Sequence, residues 1–393
     1  MMKIFSTLFI LFLLTFPEIS FSKDKVYYAG LSFIGNHSDN QKSYPYSYKL
    51  AEVKNEEGIP LLEKILVEKV RGVQRDDLDF IINDLGDYKS GDSVSIALAV
   101  DWENVAIEQI GGLYKLVLDL HAQVLIFDYG KQKVVGSYPI AVQLRDVSPE
   151  QPSTEKIESL FKTLFYGNDK NINILDVFSS RIQTVSIKRS YGQYLRVTEV
   201  NIEDKARPFF PDDHSDFERA FSGLLAQSFG KFLSTNQDVS MLPFSRGEAL
   251  GNKMAMRFAN GDIFNLEIPS TDFGIELTLR GFKKVSVGKT SSKEAFAYGS
   301  YMRIKLEQPD FGKVYFDRPI RNVAVKEVPV TQTDVDDWAA FQESLFALFD
   351  TFSKEITDTD KKWAQKTTGS KKNDIKLVLK EFDQFKKILD KCR

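Results

Sequence analysis

The chain is short of the residues on which most site chemistry is built. Among its 393 residues there is one cysteine, Cys392, and three histidines, His37, His121 and His214. A lone cysteine excludes an intramolecular disulfide and a cysteine-based metal site, and at residue 392 it cannot be acylated near the amino end. None of the histidines has a histidine or carboxylate partner at a spacing such as HExxH, so no metal site and no bound cofactor is expected. His121 falls in an alternating strand and His37 and His214 in polar loops, which predicts structural or solvent-facing roles. No GxSxG elbow and no GxGxxG or GxxxxGK[ST] loop is present to activate a serine or cradle a phosphate. The paired carboxylates Asp76-Asp77, Asp212-Asp213 and Asp336-Asp337 stand near expected helix starts, where negative charge favours the helix dipole.

Long apolar runs are also missing beyond the first 16 residues. The run from Ile4 to Phe16, with Ser6 and Thr7 inside it, is shorter than the roughly 20 residues that a bilayer-spanning helix requires. Lys3 precedes it, Pro17 breaks it, and Ser20 and Ser22 place small residues at the −3 and −1 positions of a cut after Ser22. This is the pattern of a cleavable signal peptide over residues 1–22, and it predicts a periplasmic or secreted protein with 371 residues left to fold. That length implies about two domains, each held by an ordinary hydrophobic core.

Charge is uneven. The whole chain carries −3, but Lys361 to Arg393 holds eleven Lys and Arg against four Asp and Glu. The tail is therefore +7 and, with Lys3 cancelling Glu18, residues 23–360 carry −10. An acidic body argues against nucleic acid as a partner.

What the sequence does contain is a repeat. His121 to Val147 reads as strand, turn and proline-bearing strand, followed by a helix around Glu158-Ser-Leu-Phe161; Tyr301 to Val328 repeats it, followed by Glu343-Ser-Leu-Phe346. Lys133, Val134, Pro139 and Ile140 match Lys313, Val314, Pro319 and Ile320 at a spacing of 180. Asp128 and Gly130 match Asp310 and Gly312 at 182, Ile96, Leu98 and Val100 match Ile275, Leu277 and Leu279 at 179, and Trp102 and Val105 match Phe282 and Val285 at 180. A near-constant offset predicts two tandem related domains. Period-two alternation in three long strands of each copy predicts an antiparallel meander, one face buried and one solvated, with helices packed on one face. The expected class is α/β of the α+β type.

The division is a signal peptide over 1–22, a first domain over 23–188, a second over 189–358, and a basic linker with an amphipathic helix over 359–393. Asn168 to Ser190 reads as a helical connector. Val239 to Ile268 is a strand, turn, helix and strand inserted in the second copy, and Thr333 or Asp334 is the expected cap of the closing helix. Pro139 and Pro319 predict an edge strand or a bulge, since proline donates nothing to a ladder. In the tail, Ile375, Val378, Leu379, Phe382, Phe385 and Leu389 share one helical face that Asp374 could cap, and Lys372, Lys376, Lys380 and Lys387 supply charge. Such a helix can contact an anionic membrane, enter a partner's groove, or pack back onto the acidic domains. Lys361 to Lys372 reads as its flexible linker.

The order of strand, helix, short strand-helix passage, meander and closing helix resembles the TolB amino-terminal-like periplasmic modules, a group that includes the curli secretion factor and the lipoprotein activators of penicillin-binding proteins. The likeness lies mainly in Asp238-Val-Ser-Met-Leu-Pro-Phe-Ser-Arg-Gly-Glu-Ala-Leu250 and in the strand from Phe273 to Leu279. The chain departs from that group in lacking a lipobox cysteine and a following β-propeller. The resemblance implies a non-enzymatic protein that docks a protein or cell-envelope partner. Two alternatives remain: an exported hydrolase whose carboxylates converge only in three dimensions, and a membrane-surface protein held by the basic helix.

Overall fold

The computed structural model describes residues 23–34, 41–82, 94–110, 112–168, 171–211, 215–244, 253–258, 263–332 and 335–393. The expected signal peptide, His37, His214, Asp212-Asp213, Thr333 and Asp334 lie outside the described residues. The first half runs β1 (Asp24–Ile34), α1 (Pro45–Ala51), α2 (Leu61–Arg71), β2 (Leu78–Ile81), the meander β3 (Val94–Ile110), β4 (Leu113–Asp128) and β5 (Lys133–Ser148), then α3 (Thr154–Tyr166) and α4 (Ile174–Thr184). The second half runs β6 (Leu195–Ile202), α5 (Ser215–Gln237), the hairpin β7 (Lys253–Phe258) and β8 (Ile263–Glu267), the meander β9 (Phe273–Lys289), β10 (Lys293–Gln308) and β11 (Lys313–Pro329), then α6 (Asp337–Glu355), α7 (Lys361–Thr368) and α8 (Ile375–Cys392). The class is α+β.

The two sheets follow one plan. Strand order is β1-β3-β4-β5 in one and β6-β9-β10-β11 in the other, with the first pair parallel and each meander antiparallel. Three irregularities recur at matching places. An extra residue interrupts β1 between Tyr28 and Leu31 and β6 at Thr198; another is Asp101 in β3 and Arg280 in β9; a third is Val135 in β5 and Tyr315 in β11. Each turn between the last two strands has a left-handed residue just before the closing strand, Gln132 at φ 50° and Gly312 at φ 58°.

The ladders also correct two of the sequence matches. Trp102 pairs with His121 and Glu103 with Leu120, whereas Phe282 pairs with Ser300. Phe282 therefore stands where Glu103 does, and the spacing at this point is still 179; matching it with Trp102 moves the side chain to the wrong face. Asp128 faces Lys133 as Gln308 faces Lys313. The turns thus align at 180, and the match of Asp128 and Gly130 with Asp310 and Gly312 was two residues off.

One face of the first sheet is buried under α1 to α4, in a core that includes Ile96, Leu98, Leu118, Leu120, Phe161, Leu175 and Phe178. Polar side chains fix these helices where their backbone groups run out of partners. Ser153 caps α3 by accepting from Lys156 N, and Asn173 caps α4 by accepting from Asp176 N. Helix α1 has no side-chain cap of its own, and Glu103 on β3 accepts from Tyr46 N (3.0 Å) and Ser47 N (2.9 Å) instead. At the β1 bulge, Glu63 of α2 accepts from Leu31 N (3.1 Å). Gly30 there has φ +99°, and a Cβ on it would lie 3.2 Å from the Glu63 carboxylate. Asp76-Asp77 does not start a helix; Asp77 precedes β2 and holds Arg75 in a two-point ion pair.

The other face, which alternation left to solvent, is covered by the second half. Ala97, Ala99, Leu125, Phe127 and Val134 are buried with Leu242, Leu266 and Ile268. Strand β7 pairs antiparallel with the end of β1, from Ser32 to Ile34, and β8 meets β5 at Lys133 and Glu267. The strands β1-β3-β4-β5-β8-β7 thus close on themselves. Of the strand, turn, helix and strand expected over Val239 to Ile268, the stretch from 245 to 252 lies outside the described residues, and the rest contains the hairpin β7 and β8. The chain from Ser240 to Leu242 fastens the two sheets: Met241 N donates to Ser137 O (2.9 Å) and Leu242 N to Leu195 O (2.8 Å). This approach needs Gly136, where a Cβ would sit 2.5 Å from Ser240 Oγ and 2.7 Å from the Tyr191 ring. Pro139 and Pro319 each pair on one side only, with Gln123 and Arg303, as expected of edge positions.

The second core joins α5, α6 and α8 to β9, β10 and β11. Ile375, Val378, Phe382, Phe385 and Leu389 of the tail helix are buried in it and Leu379 is partly buried, while Lys372, Lys376, Lys380 and Lys387 face outward. Phe382 packs edge-on against Phe316 at 5.0 Å, and Arg318 and Glu381 form a two-point ion pair at 2.6 and 2.7 Å. The apolar face offered to a membrane or partner is thus occupied by the chain itself. Asp374 stands at the helix start but its side chain accepts no capping bond. Lys361 to Thr368 is a helix, not a flexible linker: Asp360 caps it through Trp363 N (2.7 Å) and Trp363 packs on Phe382. The cap of α6 is Asp336, which accepts from Ala339 N (2.8 Å).

Removing the Phe382 ring should lower unfolding free energy by about 3–5 kcal/mol, the range for buried aromatic truncation, while Lys376→Glu should stay within about 0.5 kcal/mol. Denaturant midpoints of the two variants check this; equal, small losses would mean that α8 lies outside the cooperative core.

Candidate functional site

Sheet one reaches beyond the hairpin that covers its inner half. Past the Asp101 bulge, the strands β3, β4 and β5 carry side chains in register: Trp102 faces His121, Asn104 faces Asp119, and Asp119 faces Gln143. Opposite them lie the first turns of α5 and α6. Between the two walls is a cleft of about 570 Å³, within the range of roughly 300–1,000 Å³ typical of small-molecule sites. The sheet wall is polar, with Asn104, Glu108, Asp119 and Gln143. The helix wall is aromatic, with Phe217, Phe221, Trp338 and Phe346.

The aromatic wall is rigid because its rings brace one another. Trp338 lies 5.0 Å from Phe221 and 5.7 Å from Phe217, and Phe210 from the preceding 3₁₀ turn lies 5.6 Å from Trp338. Such tilted and edge-on contacts are the preferred geometry of aromatic pairs. Trp102 on the sheet side meets the His121 ring edge-on at 4.9 Å.

The polar wall has one buried carboxylate at its centre. Asp119 is 6% exposed; its Oδ1 accepts from Gln143 Nε2 (2.6 Å) and its Oδ2 from Asn104 Nδ2 (3.3 Å). Burial raises its pKa, and the two amides, Arg145 and Lys231 oppose the rise. Lys231 of α5 is held below the usual lysine range by burial, with Asp119 and Asp350 opposing. His121 is pushed down to about 3, first by burial and then by Lys231, so it is neutral at physiological pH. Glu108 at the mouth is paired with Lys115 (2.9 Å), which also binds Asp336.

Behind this row, the Asp101 side chain turns inward and its Oδ1 is buried. Its Oδ2 accepts from Gln123 Nε2 (2.6 Å), its Oδ1 has no partner, and burial lifts its pKa to about 7. Among the described residues, no group of three or more His, Cys, Asp or Glu side chains is placed to hold a metal ion.

None of the tail residues singled out from the sequence lines this cleft. The residues that do were passed over, although one signal was legible: Asp119, His121 and Gln123 alternate with Leu118, Leu120 and Ala122 in the middle of β4. A polar stripe at the centre of an otherwise apolar strand is a cost that a protein meets only with partners on that face. Reading that face as solvated hid the signal.

No protein-family model matches the sequence, and no curated protein does. Among solved structures the chain is similar to a minor lipoprotein from Acinetobacter baumannii (9% identity, 42% of this chain and 90% of that one, TM-score 0.20). It is also similar to a DUF330 protein from Xanthomonas campestris (12% identity, 44% and 90%, TM-score 0.21) and to a neuraminyllactose-binding hemagglutinin homologue from Helicobacter pylori (11% identity, 46% and 90%, TM-score 0.24). No described helix is long and apolar enough to cross a membrane.

The buried Asp101 and His121 set opposite pH dependences. Asp101 holds its proton more tightly folded than unfolded, so its contribution is full below about pH 3.8 and is lost as pH rises to about 7. His121 holds its proton less tightly folded, so stability is full above about 6.5 and falls as pH drops towards 3. Each effect changes by on the order of 1.4 kcal/mol per pH unit within its window. Melting temperatures from pH 4 to 8 should therefore rise for Asp101→Asn relative to the parent at the alkaline end, and His121→Gln should lose less at the acid end; parallel curves for all three would refute the burial of these charges.

Proposed function

We propose that this is an exported cell-envelope protein, periplasmic or secreted, that binds rather than catalyses, and that its ligand or partner segment enters the cleft between its two halves. The observation that carries the reading is the cleft itself: a braced aromatic wall facing a row of amides around one buried carboxylate. That composition suits recognition, since apolar rings give area and a few fixed polar groups give orientation. The identical strand order and the three matching bulges support descent of both halves from one duplicated module. The order of strand, helix, meander and closing helix is the part of the resemblance to TolB amino-terminal-like modules that each half keeps, and that resemblance implies a docking role towards other envelope components.

A hydrolase working through paired carboxylates, as glycosidases do, would need both facing the same space. Of the acids lining the cleft, Asp119 is held by two amides and Glu108 is paired with Lys115. Asp101 is not in the lining. The surface left for anionic lipid is the row Lys372, Lys376, Lys380 and Lys387, which could contribute charge attraction but no insertion, because the apolar side of α8 is in the core.

Two measurements test the proposal. Amino-terminal sequencing of the protein from an envelope fraction should begin at Lys23; an intact Met1 or a cytoplasmic pool would refute export. Ala220 is an exposed residue of α5 on the cleft wall, so Ala220→Trp should fill the space and leave the fold intact. Fractionated envelope extract should shift the melting temperature of the parent but not of this variant; an equal shift in both, or none in either, would rule out the cleft as the binding site.

A further inference from the structure

We infer that the cleft takes an uncharged, hydroxyl-rich ligand with an apolar face: a short neutral saccharide. The inference rests on the cleft being the binding site and adds the chemistry of its occupant. Charge is the first argument. Among the described residues, no Lys or Arg lines the cleft, so an anion would find no counter-charge from them. A cation fares no better with the described acids of the lining, which are already engaged: Glu108 with Lys115, and Asp119 with two amide donors and the nearby positive charges of Arg145 and Lys231. Bringing a charged group into this space would leave it buried without a free partner, which is costly.

The polar wall supplies the second argument. Asn104, Gln109 and Gln143 on the sheet side, with Gln342 of α6 across from them, carry both donors and acceptors, and Asp119 has acceptor capacity beyond its two bonds. Adjacent hydroxyls are matched by such mixed groups, because each hydroxyl both donates and accepts. A site for an apolar ligand would not keep four such amides in the lining, two of them bonded to a buried carboxylate.

The third argument is the facing wall. Phe217, Phe221, Trp338 and Phe346 with Trp102 give the space an aromatic lining. A pyranose ring carries C–H groups on its faces and hydroxyls at its edge, so it can lie against aromatic carbon while its edge meets the amide row. Aromatic burial of this kind contributes area without asking for charge.

The structure also supplies a reporter. The chain has three tryptophans, and Trp102 and Trp338 line the cleft while Trp363 lies in α7. In the mature chain carrying Trp363→Phe, tryptophan emission should shift saturably with chitotriose, maltotriose or cellotriose. The double variant Asn104→Ala/Gln143→Ala should raise the Kd for the best of these at least tenfold, and its far-ultraviolet circular dichroism should match the parent. Absence of any saturable shift with the three neutral sugars, equal binding of sialyllactose or spermidine, or unchanged affinity in the folded double variant would overturn the inference. If the sugars fail while Ala220→Trp still abolishes a shift caused by envelope extract, the cleft remains the binding site and only its assigned ligand class is wrong.

Discussion

A sheet with apolar side chains on both faces must be covered twice, and this requirement organises the molecule. In β4, Leu118, Leu120 and Ile126 face the helices of the first half, while Leu125 and Phe127 face the other way. Among the described residues, the first half has no element left to cover that second face. The second half supplies it, with a hairpin that joins both edges of the sheet and an extended segment that ties β5 to β6. The two halves are therefore coupled by burial and by backbone hydrogen bonds, which is a stronger connection than the flexible linker between independently folding domains.

The cleft follows from where that cover ends. The hairpin protects the strands up to the Asp101 bulge, and α5 and α6 begin farther along. The bulge re-aims β3 and so sets Trp102 beside His121 and Asn104 beside Asp119. Polar residues at the centre of β4 are tolerated because this part of the face meets a cleft and a neighbouring helix, not a packed apolar layer. In the second sheet the position equivalent to Asp119 is Gly299, so the polar row of β3 to β5 is not repeated there.

Much of the local structure was legible in the sequence, since it depends on short-range physics. The three strands of each meander followed from alternation, and the closing helices from their spacing. The proline positions signalled edges. What was not legible depended on contacts between distant segments. Whether β4 has one buried face or two is decided by β7 and β8, over a hundred residues away, and nothing in the local pattern of β4 specifies them. Asp336 displaced the expected cap because the helix starts later than its apolar spacing suggested. The tail read as a free amphipathic helix because an apolar stripe looks the same whether its partner is a membrane or the chain's own core. The cleft was missed because the row Asn104, Asp119 and Gln143 exists only after three strands align.

The position of α8 has a bearing on how the protein reaches this state. Synthesis proceeds from the amino end, and the last eighteen-residue helix is an inner wall of the second core. Both cores depend on segments distant in sequence, the first on the hairpin and the second on α8. A chain cut short near its end would leave Phe316 and Phe352 without Phe382 and Phe385, exposing an aromatic cluster of the sort that quality-control proteases recognise.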